Sequence, residues 1–197
     1  MFTGIVEAQG RIRAVQPTGA AVRVTIDAGA LDLSDVSTGD SIAVDGCCLT
    51  IVALAGSAFT VDVSQETLDC TTGFEAGRAV NLEKALRLSD RLGGHLVSGH
   101  IDGVGEITRF DPVGESRLLE VRAPAPLAKY LAHKGSVAVN GVSLTVNWVE
   151  DRRFTVNLIP HTLAVTNLGT LRPGARVNLE VDIIARYLEG LVKGGEG

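Results

Sequence analysis

The sequence predicts an all-β protein built from two similar six-stranded antiparallel Greek-key β-barrels and a C-terminal α-helix. The first observation is an internal repeat: at an offset of 95 residues, 41–50 match 136–145, and 59–68 match 154–163. The second is that apolar and polar residues alternate through both copies, as in half-buried strands. The third is that helical spacing of apolar residues is rare outside the C-terminal end. Together these observations indicate a duplicated β domain.

Each copy contains several short alternating segments separated by turn residues. Val22, Val24 and Ile26 mark one such strand, and Asp45-Gly46 and Asn140-Gly141 mark hairpin turns. About six strands per copy suit a small closed barrel, which leaves no strand edge exposed.

The repeat also predicts the domain boundaries. Residues 1–88 form the first barrel, residues 89–182 the second, and residues 183–197 a helix and tail, with the linker around residues 88–94. Each barrel has roughly 90 residues, which is enough to bury a core. Near the end of each copy the offset becomes 97.

The helical segments are few. Residues 126–131 could form a short helix that begins with a proline. Asp182 is a candidate N-cap for a final helix, whose apolar residues 183, 184, 187, 188 and 191 have amphipathic spacing. This apolar stripe either packs on its own barrel or mediates self-association.

Composition excludes several classes of protein. The chain has 197 residues, 18 Lys and Arg against 23 Asp and Glu, and no basic cluster, which argues against a nucleic-acid surface. No apolar run approaches the ~20 residues of a membrane span, and no signal peptide is evident. Three cysteines give neither a disulfide framework nor a zinc pattern. We therefore expect a cytoplasmic protein whose partners are small molecules or other subunits.

A few equivalent positions carry different chemistry in the two copies. The second copy gains a histidine, a carboxylate and a cation, whereas the first alone has a thiol and a glutamate. This division suits a reaction that treats two similar molecules differently. The pairs are Ile5 and His100, Gly39 and Lys134, Cys48 and Ser143, Asp62 and Asn157, Glu66 and His161, and Ala85 and Asp182.

Several of these residues also have purely structural interpretations. His100, in a glycine-rich stretch, either hydrogen-bonds a turn or exchanges protons near neutral pH. Cys48 is either a small buried side chain or a functional thiol, and Cys47, on the opposite strand face, is the better structural cysteine. Lys134 is either a solvated loop residue or the extra cation of a site.

The same two interpretations apply to the polar residues around the strands. Ser143 and Thr145 either satisfy the backbone or, on the face opposite Leu144, contact a polar ligand. Thr67 and Thr162 follow strands, where they either start helical turns or contact a ligand. Capping of the last helix by Asp182 does not exclude a second role.

Other chemistries lack their motifs. His95 and His100 have no third ligand at zinc-site spacing. Ser143, His100 and Asp182 are the residue types of a hydrolase triad, but the sequence around Ser143 is not G-x-S-x-G. No P-loop and no G-x-G-x-x-G is present, so neither a nucleotide cofactor nor a metal is expected.

Five motifs in order resemble those of the trimeric riboflavin synthase family, over residues 1–190. They are Met1-Phe-Thr-Gly-Ile-Val-Glu7, Gly46-Cys-Cys-Leu-Thr50, Gly93-Gly-His-Leu-Val-Ser-Gly-His-Ile-Asp-Gly103, Asn140-Gly-Val-Ser-Leu-Thr145 and Leu158-Ile-Pro-His-Thr162. The resemblance implies two six-stranded barrels with the C-terminal helix at a trimer axis. It implies that one molecule of 6,7-dimethyl-8-ribityllumazine donates a four-carbon unit to a second, giving riboflavin and 5-amino-6-ribitylaminouracil without a cofactor. The resemblance also implies an active site between the first barrel of one subunit and the second barrel of a neighbour.

The resemblance also implies the substrate-binding residues. The first pocket takes Gly4, Ile5, Val6, Cys48, Leu49, Thr50, Asp62, Val63, Ser64, Gln65, Glu66 and Thr67. The second takes Gly99, His100, Ile101, Ser143, Leu144, Thr145, Asn157, Leu158, Ile159, Pro160, His161 and Thr162. Lys134 contacts ligand held by the neighbouring chain.

The catalytic hypothesis assigns proton transfer to His100, assisted by Ser143 and Thr145. Cys48 and Asp182 then activate or position the acceptor and the leaving group. The main alternative is a non-catalytic lumazine- or flavin-binding protein of the same fold, which loss of polar groups from the second pocket would favour.

Overall fold

The computed structural model describes residues 1–194, and side chains through residue 192. The last three residues of the predicted tail, 195–197, lie outside the described residues. Six strands form the first copy: β1 (Ala8–Thr18), β2 (Ala21–Asp27), β3 (Ser41–Val44), β4 (Cys47–Ala55), β5 (Ala58–Val63) and β6 (Ala79–Lys84).

The first copy is a closed barrel. Its antiparallel strands are hydrogen-bonded in the order β1-β2-β5-β4-β3-β6, which is a Greek-key path. Alternate residues point inward and form one core that includes Val24, Ile26, Phe59 and Val61, all fully buried. The six-stranded barrel predicted from the alternation is confirmed.

The second copy repeats this order with one interruption. Its strands are β7 (Gly103–Val113), β8 (Ser116–Arg122), β9 (Ser136–Val139), β10 (Val142–Thr145), β11 (Trp148–Glu150), β12 (Arg153–Leu158) and β13 (Arg176–Val181). They are ordered β10-β9-β13-β7-β8-β12-β11, so β10 and β11 are the two edges of a sheet that curls until β10 contacts β12.

The second copy has seven strands rather than six because its fourth strand is interrupted where the first copy has an irregularity. In the first copy, β4 runs continuously through an irregularity between Ile51 and Ala53. The equivalent positions, Val146 and Trp148, lie where β10 ends and β11 begins. The extra residue of a bulge goes unpaired and bends its strand. The second copy therefore has the same barrel topology, with its fourth strand in two pieces.

Three α-helices accompany the strands: α1 (Gln65–Cys70), α2 (Pro160–Val165) and α3 (Ile183–Gly194). The short helix predicted at 126–131 is a 3₁₀ helix at Ala125–Tyr130, and a second 3₁₀ helix spans Asn167–Thr170. The carboxylate of Asp182 accepts a hydrogen bond of 3.0 Å from the backbone N–H of Ile184, so the predicted cap of the last helix is confirmed.

The two copies pack against each other with approximate two-fold symmetry. The backbone N–H of Phe2 donates to the carbonyl of Val97 at 2.7 Å, and that of Val97 donates back at 3.1 Å. These residues and the equivalent pair Ala43 and Ala138 form a buried apolar cluster. Apolar burial therefore joins the barrels where the N-terminal segment of each copy meets the other.

A buried polar network lies beside this cluster. The carboxylate of Asp45 accepts hydrogen bonds from Asn81 N–H and from the Asn167 amide, both at 2.8 Å, and pairs with Arg78 at 2.7 Å. Burial raises the pKa of Asp45 against the effect of Arg78. The equivalent Asn140 accepts from the N–H of Asn178 at 2.8 Å. Because buried polar groups need partners, the network fixes one orientation of the copies.

Candidate ligand pockets

The loops that line the pockets cross between the copies. The carbonyl of Gly4 accepts a hydrogen bond of 2.8 Å from the N–H of Ser143, in the second copy. The carbonyl of Gly99 accepts one of 2.8 Å from the N–H of Cys48, in the first copy. Our grouping of Gly4–Val6 with the first pocket and of residues 99–101 with the second is therefore wrong. Sequence repetition cannot reveal such an exchange, because equivalent loops cross in equivalent ways.

Core packing supports the exchange. Val6 packs against the core of the second copy, and Ile101 packs against the core of the first. Each pocket therefore combines a strand of one copy with a loop of the other.

Both crossings need glycine. Gly4 and Gly99 have φ of +76° and +81°, a region that disfavours side chains. A Cβ on Gly4 would lie 2.6 Å from Cβ of Ser143, and one on Gly99 would lie 2.5 Å from Cβ of Cys48. Only a glycine lets each loop approach the strand of the other copy this closely.

The first pocket lies beside an open stretch of β4. Pairing of β4 with β5 starts only at Ile51 and Val61, so the side of Cys48 and Thr50 that faces β5 is not occupied by a strand. The Cys48 side chain is half-buried and that of Thr50 is exposed, whereas Leu49 is part of the core. The predicted alternation of polar and core positions is confirmed here.

The loop from β5 into α1 borders this pocket. The hydroxyl of Ser64 caps α1 by accepting from the N–H of Thr67 at 3.2 Å, and the side chain of Val63 is fully buried. The carboxylate of Asp62 is held by two hydrogen bonds from Arg23, of 2.7 and 2.8 Å, which lower its pKa. Gln65 and Glu66 are exposed on α1.

The second pocket is built in the same way. Ser143 is half-buried and Thr145 exposed on β10, with Leu144 between them in the core. Beyond β12, which ends with the exposed Asn157 and the buried Leu158, the chain enters α2. There Ile159, Pro160 and His161 are exposed and Thr162 is half-buried.

His95 is a residue that the sequence analysis considered only as a zinc ligand. Its Nδ1 lies 2.7 Å from the hydroxyl of Ser143, and its Nε2 is buried and makes no hydrogen bond to any described residue. Burial lowers the pKa of His95 below 6.5, opposed by the charge of Asp182. No comparable histidine bond to Cys48 occurs in the described part of the chain. The two pockets are therefore chemically unequal.

The glycine pair before His95 is the sequence feature that could have indicated the contact between His95 and Ser143. A Cβ on Gly94 would collide with the carbonyl of Thr3 and would lie 2.8 Å from Cβ of Ser143. The linker can therefore pass over Ser143 only as glycine, and this path brings His95 to the hydroxyl.

The other predicted site residues lie around the two pockets. His100 is exposed. It follows Gly99, whose carbonyl is hydrogen-bonded to Cys48, and precedes Ile101, which packs against the core of the first copy. Lys134 is exposed and has a φ of +64° at the turn where the first copy has Gly39, so its backbone is strained. Of the two adjacent cysteines, Cys47 is buried, and burial raises its pKa to about 12, as expected of a structural thiol.

The described residues, 1–194, contain neither a metal-binding cluster nor a membrane-spanning helix. No group of three or more His, Cys, Asp or Glu is placed to hold a metal ion. No helix in this range has the length and apolar character needed to cross a membrane.

Comparison with known proteins agrees with this geometry. A family model described as Lumazine binding domain matches twice, at residues 3–85 and 98–182. Riboflavin synthase of Photobacterium phosphoreum is 45% identical over 194 residues, 98% of this chain and 89% of the relative. That of Mycobacterium tuberculosis is 45% identical over 199 residues, 98% of each chain.

Solved structures show the same arrangement. LumP complexed with riboflavin superposes with a TM-score of 0.85 and 28% identity, covering 92% of this chain and 99% of that chain. LumP complexed with 6,7-dimethyl-8-(1'-D-ribityl) lumazine gives a TM-score of 0.82 at the same identity and coverage. The fold and its two matched domains define the class of duplicated lumazine-binding proteins. Within this class, the chain belongs to the riboflavin synthase family.

Proposed function

We propose that this chain converts two molecules of 6,7-dimethyl-8-ribityllumazine into riboflavin and 5-amino-6-ribitylaminouracil. Donor and acceptor are the same compound, so the reaction needs two related pockets that treat them differently. The observation that carries the proposal is the pair of equivalent but unequal pockets, one with Cys48 and the other with Ser143 bonded to His95. The near full-length identity to riboflavin synthases supports it.

Holding two rings in register is the main catalytic contribution that we propose. Effective molarity of this kind can be worth ~7 kcal/mol or more. The 7-methyl group of one lumazine loses a proton, and the resulting charge spreads toward the pyrimidine oxygens. Backbone N–H groups in the substrate-binding loops are suited to stabilise that charge.

The proposed reaction assigns roles to individual residues of the two pockets. We assign proton transfer to His100, beside Cys48, and positioning of the acceptor and leaving group to Cys48 and Asp182. Assistance of His100 by Ser143 of the same chain is not found, because the histidine bonded to Ser143 is His95. On our proposal Ser143 and Thr145 assist from the neighbouring subunit, and Lys134 contacts the ligand that the neighbour holds.

Self-association follows from the C-terminal helix. Its apolar side chains Ile184, Tyr187, Leu188, Leu191 and Val192 are each more than half exposed. Its polar side is bonded to the second copy: Arg186 pairs with Asp102, and Glu189 with Lys129 and Tyr130. The helix is therefore held in place with its apolar face outward, which favours self-association over packing on its own barrel. We propose that three copies meet along this face.

The remaining parts of the proposal concern organisation and location. We propose that residues 1–88 and 89–182 are the two lumazine-binding units and that residues 183–197 mediate assembly. Three free cysteines suit a reducing compartment, and we propose the cytoplasm.

A direct assay tests the activity. Purified protein is mixed with 6,7-dimethyl-8-ribityllumazine alone, and riboflavin absorbance is followed while lumazine loss is measured. We expect two lumazines to be consumed for each riboflavin formed, with no added cofactor. Absence of riboflavin from a folded protein that binds lumazine would instead support the second candidate, a binding protein, which the similarity to LumP favours.

The His100→Gln variant tests the proton-transfer role. We expect kcat to fall by about 100-fold, as for loss of a general base, while lumazine binding is retained. Full turnover by this variant would remove His100 from the role.

A further inference from the structure

We infer that two buried glutamates, Glu83 and Glu180, are positioning residues that each hold the loop completing the pocket of the other copy. Glu180 lies in the second copy and orders the loop that reaches Cys48. Glu83 lies in the first copy and orders the loop that reaches Ser143. The inference rests on the proposed function, because it concerns how the same two pockets are formed.

The contacts of Glu180 are specific. One carboxylate oxygen accepts from the N–H and the hydroxyl of Ser98, at 2.6 and 2.7 Å, and the other from the N–H of Gly99 at 2.9 Å. The next hydrogen bond along the loop joins the carbonyl of Gly99 to Cys48. One carboxylate thus fixes the residues that immediately precede His100.

Glu83 makes the equivalent contacts. It accepts from the N–H and hydroxyl of Thr3, at 2.6 and 2.7 Å, and from the N–H of Gly4 at 3.0 Å. The carbonyl of Gly4 then accepts from the N–H of Ser143. Ile5 follows Gly4 in the loop held by Glu83, and His100 follows Gly99 in the loop held by Glu180. The two glutamates therefore make equivalent contacts but position side chains of different chemistry.

Each glutamate binds three donors at once in a buried site. Burial raises the pKa of both carboxyl groups, although the bound N–H and O–H donors oppose that shift. Removing the carboxylate alone would leave these donors unpaired, so each glutamate also contributes to stability. What the carboxylate supplies is a fixed direction for three donors at once, which places the loop.

Glu83 and Glu180 occupy equivalent positions in the two copies, so a variant of one is a matched control for a variant of the other. We compare Glu180→Gln with Glu83→Gln in a Cys70→Ser background and measure the rate at which a thiol reagent modifies Cys48 in the full-length protein. Cys47 is buried with a raised pKa and stays unreactive, so Cys48 is the thiol observed. Melting temperature is recorded for every variant.

The two variants should differ in both readouts. Glu180→Gln should raise the Cys48 labelling rate by about fivefold, because a loosened loop uncovers the thiol, and Glu83→Gln should leave it unchanged. In the riboflavin-forming assay, Glu180→Gln should lower kcat by about tenfold through misplacement of His100, and Glu83→Gln should act mainly on KM.

Wild-type labelling in Glu180→Gln, or equal acceleration in both variants, would overturn the inference. If either glutamine variant does not fold, Ser98→Ala and Thr3→Val, which each remove one hydroxyl donor, make the same comparison. The labelling experiment uses no turnover, so it separates failure of this inference from failure of the proposed activity.

Discussion

The pairing of His95 with Ser143 sets the two pockets apart at the scale of single residues. Cys48 and Ser143 occupy equivalent strand positions, yet only Ser143 has a histidine on its hydroxyl in the described chain. The Nε2 of that histidine is buried and makes no hydrogen bond to the described residues. We therefore propose that His95 exchanges protons in the second pocket.

Replacement of this histidine tests that statement. We expect His95→Gln to lower kcat by about 10- to 100-fold, because Ser143 loses its partner. The wild-type kcat should also fall with decreasing pH below 6.5, as the buried, neutral ring of His95 becomes protonated at its lowered pKa, and this contribution to the acid limb of the pH profile should be absent from the variant.

His133→Gln serves as the matched control, since His133 is exposed and is not one of the proposed site residues. It should retain the wild-type rate and pH profile. An unchanged acid limb in His95→Gln would contradict the assignment.

Cys47 makes a separate prediction for stability at high pH. Burial raises its pKa from 9.0 to about 12, so the folded state keeps a proton that the unfolded chain loses. The thiol therefore contributes stability below pH 9 that is lost as pH rises toward 12, about 4 kcal/mol in all. Denaturant unfolding of Cys47→Ala between pH 9 and 11 should show a correspondingly shallower loss of stability than wild type. An identical slope would show that Cys47 ionises equally in both states.

At the scale of elements, the strand faces and the cap of the last helix were predictable. The caps of the two short helices were not, because α1 is capped by Ser64 and α2 begins after Ile159 without a side-chain cap, rather than at Thr67 and Thr162. The course of the loops was not predictable either. The alternation of Cys48, Leu49 and Thr50 gives the faces of β4 directly, because a strand has a period of two. The interruption between β10 and β11 lies at the positions equivalent to the irregularity in β4, and local sequence does not mark it. His95 was missed because its role depends on the path of the linker over Ser143.

The helix α3 is the element whose apolar face remains exposed. If the proposed trimer forms along this face, Leu188→Glu should give monomers and lower activity at least about tenfold, because a charge in an apolar interface is costly and each proposed site needs two subunits. Size-exclusion chromatography with light scattering gives the mass.

Leu88→Glu is the control for added charge on an exposed leucine, since Leu88 is fully exposed in the linker. It should leave mass and activity unchanged. A Leu188→Glu protein that stays oligomeric and active would show that this face does not mediate assembly.

At the scale of the whole molecule, duplication explains both the symmetry and its limits. The apolar cluster around Phe2 and Val97 and the network around Asp45 hold the copies in one relative orientation. Within that frame the loops of Gly4 and Gly99 cross to the other copy, so each proposed pocket combines residues of both copies. The repeat in the sequence predicted two pockets, but only the hydrogen bonds show which loop belongs to which.

A count of bound ligand tests the two-pocket account most directly. Riboflavin is titrated into wild type, Cys48→Phe and Ser143→Phe, in which a large side chain fills one pocket or the other. We predict two ligands per chain for wild type, one for each variant, and no turnover by either variant. A single ligand per wild-type chain, or loss of all binding from either substitution alone, would contradict the account.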